Sequence, residues 1–121
     1  MKISIFGTKP WESDYLKEKI SGFASGAQVT FLDGIVTADK LPPLDTEILC
    51  VFVDSSVNKQ VIDSLPNLKM VVTRSTGFDH IDLATAKEKN IAVLYVPSYG
   101  ENTVAEFAMA LILCLSRKIY Q

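Results

Sequence analysis

The sequence is poor in the residues that most often carry chemistry. It has two cysteines, one histidine and one tryptophan in 121 residues. Cys50 and Cys114 stand far apart in apolar surroundings and lack metal-ligand spacing. Two buried thiols in a reducing compartment are expected, not a disulfide. No two of the six glycines are separated by a single residue, which excludes a GxGxxG dinucleotide loop and a P-loop. A flavin-phosphate turn is a poor match for Lys9-Pro10-Trp11. The net charge of −2 comes with no stripe of Lys and Arg, so no nucleic-acid partner is expected. Long apolar runs are also missing. The one at the N-terminus is too short for a signal peptide. The longest, over residues 107–115, is about half of what spans a bilayer. No membrane partner is expected, and a cytoplasmic protein is.

What remains is enough for one compact core. Runs rich in Val, Ile and Phe over residues 2–6, 28–32, 48–53, 69–73 and 91–95 read as strands. Helix formers occupy residues 12–21, 58–65 and 82–89 between them, with apolar residues three or four apart. Strands that are apolar throughout and separated by helices predict a parallel sheet covered on both faces. The connection over residues 34–45, with Pro42 and Pro43, fits a short helix or an irregular crossover equally. The expected class is α/β: a flavodoxin-like, doubly wound, five-stranded parallel sheet of order 2-1-3-4-5.

The last helix, expected over residues 103–118, differs from the others. Thr103 and Glu106 have the spacing of a capping box, and nine apolar residues follow without a polar one. A helix apolar all round cannot be buried by one sheet face. It asks for a second body, so residues 1–98 are expected to form a domain, with 99–121 opening a connection to something beyond Gln121.

Ligands of open parallel sheets bind outside the carboxyl ends of the strands. The loop after the fourth strand, Arg74-Ser75-Thr76-Gly77-Phe78, suits an anion. Small hydroxylic residues around a glycine let successive backbone N–H groups converge, and Arg74 is expected to add positive charge. The plainer reading is a turn that needs Gly77 for its backbone angle. His80, between acidic residues near a helix start, reads as a surface or capping residue ahead of an acid–base group. Asp79 and Asp82, three apart, suit capping better than metal binding. A phosphoacceptor domain of the receiver type would use Asp54 after the third strand. It also needs an acidic pair after the first strand, where Gly7-Thr8-Lys9 stands, and a lysine where Pro97 stands. A stand-alone carboxylate-binding module is the other alternative, against which the bare apolar helix argues.

Three stretches together resemble one family, and the resemblance runs in order along the whole chain. Arg74 through Asp82, Val96-Pro97-Ser98-Tyr99, and Thr103 through Glu106 leading into an apolar helix resemble the D-isomer-specific 2-hydroxyacid dehydrogenases. Phe6 through Pro10, Cys50 through Val53 and Tyr99 resemble the D-lactate branch in particular. The resemblance implies a two-domain oxidoreductase that uses NAD to interconvert a small 2-oxo acid and the D-2-hydroxy acid, pyruvate by default. It implies that backbone N–H groups of Ser75, Thr76 and Gly77 hold the substrate carboxylate and that Tyr99 lines the pocket. The helix from Thr103 would be the crossover between domains, with Thr103 in the turn facing the nicotinamide. The family's catalytic Arg, Glu and His and its glycine-rich loop belong to the second domain. No catalytic residue is therefore expected in this chain, Arg74 and His80 are not their equivalents, and the chain is expected to be a truncated, inactive half. A homodimer through residues 103–118 is expected to cover the apolar helix. The family commonly has Asn at the position of His80, a departure expected to be local and structural.

Overall fold

The computed structural model describes residues 1–119. Five strands form one sheet of order β2-β1-β3-β4-β5, every neighbouring pair parallel. The strands are β1 (Lys2–Phe6), β2 (Gln28–Leu32), β3 (Ile48–Val51), β4 (Met70–Thr73) and β5 (Ala92–Leu94). The helices are α1 (Pro10–Phe23), α2 (Lys59–Asp63), α3 (Leu83–Glu88) and α4 (Glu101–Ser116). The expected strand over 48–53 ends at Val51, because Phe52 and Val53 have left the ladder and are exposed. Segment 34–45 is the irregular crossover, and it inserts Val36 wholly into the core.

Side chains alternate across a strand, and here the two faces of the sheet differ. Phe6, Leu49, Val51 and Val71 point to one face and are buried with Val36, Val57, Val61, Ile62 and Ile81 in a single cluster. α2 and α3 close that face, through Val61 and Ile62 of one helix and Ala86 of the other. Each such side chain contributes about 1.5–3 kcal/mol by leaving water. The register places Ile3, Ile5, Ile48, Cys50, Met70, Val72 and Leu94 on the opposite face. There only Ile5 is fully buried, and Leu94 is half exposed. α1 buries no residue; its contribution is the half-buried pair Leu16 and Ile20 and Lys17 above the Phe31 ring at 5.2 Å. The expectation of a sheet covered on both faces is thus corrected: one face is closed and one is half open. Cys50 and Cys114, expected to be buried, are both free and half-buried, Cys50 because it lies on the open face.

α4 also starts differently from the expected capping box. The helix begins at Glu101, two residues before Thr103, with Gly100 at the N-cap. The Glu101 carboxylate is held below its ordinary range by its own backbone N–H and then by the Ser98 hydroxyl. A negative charge in the first turn suits the helix dipole, so Thr103 is left inside the helix without a capping role. α4 buries none of its residues. Val104, Phe107, Leu111, Ile112 and Leu115 are each at least 49% exposed, which leaves the apolar surface without cover from the chain's own fold.

Candidate functional site

The carboxyl ends of β1, β3 and β4 meet in the middle of the sheet, and the loop after β4 lies there. Ser75 is buried while Thr76 and Gly77 are exposed. Among the described residues, the backbone N–H groups of Ser75, Thr76 and Gly77 donate to no protein acceptor. Three successive unspent donors are unusual, because backbone N–H groups are nearly always paired. The loop itself is held firmly. Val96 N–H donates to the Ser75 carbonyl at 3.0 Å, and the Ser75 hydroxyl donates to the Gly77 carbonyl at 2.7 Å.

Gly77 is not a glycine for the reason first expected. Its φ lies outside the left-handed region, and a Cβ there would meet only an Asp79 carboxylate oxygen at 3.8 Å, an ordinary contact. Neither backbone angle nor crowding within the chain requires glycine. Gly7, after β1, is the opposite case: its φ is +63° and an added Cβ would stand 3.0 Å from the Gly34 carbonyl oxygen.

Arg74 does not add charge to the loop as expected. Its guanidinium turns toward the β1–α1 connection. Nη1 donates to Glu12 Oε1 at 3.0 Å, and Nη2 donates to the carbonyls of Phe6 at 2.9 Å and Gly7 at 3.1 Å. The group lies over the Phe52 ring at 5.6 Å. Glu12 neutralises it and with its other oxygen accepts from the Lys9 N–H at 2.8 Å, fixing the start of α1. A cavity of about 420 Å³ opens beside this cluster, lined by Gly7, Lys9, Trp11, Glu12, Phe52, Asp54 and Arg74. Glu12 and Phe52 were not legible as site residues. Their partner lies far along the chain, and only the sheet order brings them to it.

His80 is half-buried and caps no helix among the described residues; its ring instead reaches the end of β4. Its Nε2 lies 3.1 Å from the Thr73 hydroxyl. Asp82, as expected of one of the acidic pair, caps α3 by accepting from Thr85 N–H and the Thr85 hydroxyl. Tyr99 is exposed in the segment joining the Val96 contact to α4, and Thr103 is exposed in the first turn of α4. Ser75, Thr76 and Gly77 are therefore gathered in one turn, while Tyr99 and Thr103 make no hydrogen bond to it among the described residues. No group of three His, Cys, Asp or Glu among those residues could hold a metal ion. None of their helices is long and apolar enough to cross a membrane.

Residues 3–113 match the family model of the D-isomer specific 2-hydroxyacid dehydrogenase catalytic domain. The chain belongs to that family. The D-lactate dehydrogenase of Escherichia coli is 30% identical over 124 residues, covering 100% of this chain and 37% of that protein. A glyoxylate reductase of Thermofilum pendens is 40% identical over 74 residues, 61% of this chain and 22% of the relative. The solved D-lactate dehydrogenase of Aquifex aeolicus, complexed with NAD and lactic acid, superposes with a TM-score of 0.77 at 28% identity, covering 93% of this chain and 33% of that one. This dehydrogenase-family chain thus matches between about a fifth and somewhat over a third of these relatives' length. Family membership sets aside the receiver reading, whose sheet order is the same.

Proposed function

We propose that the chain is the substrate-side domain of an NAD-dependent D-2-hydroxyacid dehydrogenase, acting on a small 2-oxo acid such as pyruvate, and inactive alone. The observation that supports it is the loop 75–77, with three unspent N–H donors around a glycine whose side-chain space is free. Such a loop can stabilise a carboxylate by hydrogen bonds without a nearby cation, which is how this chain's residues would hold and orient the substrate. Tyr99 is the proposed pocket wall and Thr103 the proposed contact on the cofactor side.

The chain's own residues do not fit NAD. A dinucleotide needs a glycine-rich turn opening onto a helix N-terminus. Here Gly7 is packed against the Gly34 carbonyl, Pro10 opens α1 without an N–H, and Glu12 already occupies the Lys9 N–H. NAD binding and the redox step are assigned to chain outside these residues. Pyruvate titrated into the ¹⁵N-labelled chain should move the Thr76 and Gly77 amide signals saturably, and Gly77→Val should abolish the shift. Shifts confined to the cavity beside Arg74 would place the substrate elsewhere. Oxidation of NADH by the purified chain with pyruvate, above a protein-free control, would overturn its assignment as an inactive half.

The exposed apolar surface of α4 is the proposed site of self-association with a second copy, a twofold contact in which each helix covers the other. Light scattering at micromolar concentration should give a dimer that Leu111→Glu returns to monomer. A wild-type monomer would refute it.

A further inference from the structure

Beneath the loop 75–77 lies a line of hydrogen bonds whose direction follows from counting protons. The Gly77 carbonyl can only accept, so the Ser75 hydroxyl spends its one proton there, at 2.7 Å. Thr73 Oγ1 lies 2.6 Å from Ser75 Oγ; with the Ser75 proton used, Thr73 must donate to Ser75. Thr73 has then spent its own proton, so at 3.1 Å the His80 Nε2 must donate to Thr73. Thr73 and Ser75 are buried, at 0% and 2% exposure, so water does not compete for the bond between them.

The line controls the loop through peptide geometry. In a trans peptide the carbonyl of one residue and the N–H of the next are coplanar and point opposite ways. Val96 fixes the Ser75 carbonyl and thereby the aim of the Thr76 N–H. The Ser75 hydroxyl fixes the Gly77 carbonyl and so the following peptide plane. The Gly77 N–H belongs to the plane between these two and is bracketed by them.

We propose that His80 is the positioning residue of this loop: its Nε2–H begins a one-way relay through Thr73 and Ser75 that sets the loop's free N–H groups for an anion. The role in substrate binding rests on the carboxylate-loop reading above; the relay itself does not. The relay requires the Nε2–H tautomer of the neutral imidazole, and any side chain with an N–H donor of similar reach satisfies it. Gln fits that description and Ala does not.

The test has two arms on the 121-residue chain. Nitrogen NMR of the His80 ring at mildly alkaline pH should show Nε2 protonated and Nδ1 bare; the opposite tautomer overturns the relay, whatever pyruvate does. In the second arm, pyruvate is titrated into wild type, His80→Gln and His80→Ala while the Thr76 and Gly77 amides are followed. His80→Gln should bind like wild type, and His80→Ala about five- to tenfold more weakly, the effect of one lost hydrogen bond. Equal affinity in all three removes the positioning role. If pyruvate moves no loop amide even in wild type, the carboxylate reading and the positioning role fail together, while the tautomer still decides the relay.

Discussion

The two faces of the sheet are built from similar residues and end in different states. Leu49 and Ile48 are neighbours on β3, yet Leu49 is fully buried while Ile48 is not. The closed face is completed by the chain's own α2, α3 and Val36. The other has only the thin stripe of α1, and α4 adds nothing to it. The same contrast recurs at the strand ends, where Gly7 is closed in by backbone while Gly77 and its neighbouring N–H groups stand open. Apolar strand composition therefore shows that a face can be buried, and the flanking helices decide whether it is.

The contrast predicts its own largest effect. Leu49→Ala should cost about 3 kcal/mol in urea unfolding, and Ile48→Ala only about 1 kcal/mol, since the half-open site leaves a smaller cavity. Equal losses would mean that the second face is closed in solution. Next come the two glycines. Gly7→Val should cost at least about 1–2 kcal/mol from its left-handed backbone alone, with the Gly34 contact added. Gly77→Val should stay within about 0.5 kcal/mol of wild type, so that any loss of pyruvate binding is separable from loss of fold.

A smaller effect is expected at the amino-terminal edge of the sheet, where charges are spent as fully as the loop's donors are not. Glu47 is lowered to about 2 by the Lys69 ammonium and then by the Lys2 backbone N–H. A depressed carboxylate contributes stability above its unfolded value, lost as pH falls from about 4.5 toward about 2. Glu47→Gln should flatten the acid side of the stability profile over that window, as followed by urea midpoints. The smallest effect belongs to His80, which burial lowers below its ordinary 6.5 against the opposing charge of Asp79. The folded chain then binds fewer protons than the unfolded one, so stability should fall as pH drops below about 6.5. His80→Asn should remove that dependence; an unchanged slope would assign it to other groups.

Much of this was legible in sequence. The five strands and their order follow from β-branched runs alternating with helix formers, and β1 and β2 agree to the residue. The loop 75–77 could be singled out as a candidate anion loop because the glycine and hydroxylic residues are adjacent in sequence. What escaped depends on long-range partners. Arg74 looked like a free cation because Glu12, its partner, lies on another element. His80 looked peripheral because Thr73 meets it only after β4 and the turn have formed. Thr103 and Glu106 matched a capping box, but Glu101 provided an earlier start. The open face could not be inferred from strands alone.

The parallel register also governs how this sheet can assemble. Ile3 lies beside Ile48 and Met70 beside Ala92, so no ladder is closed by a tight hairpin and every one spans a crossover. The loop-closure entropy of each crossover comes before its hydrogen bonds. During synthesis β1 stays unpaired along both edges until β2 is made, and along one edge until β3 follows. Folding should therefore be slow for a chain of this size, with its rate set by contacts distant in sequence; substitutions within the solvent-facing turns of α1 would leave that rate nearly unchanged.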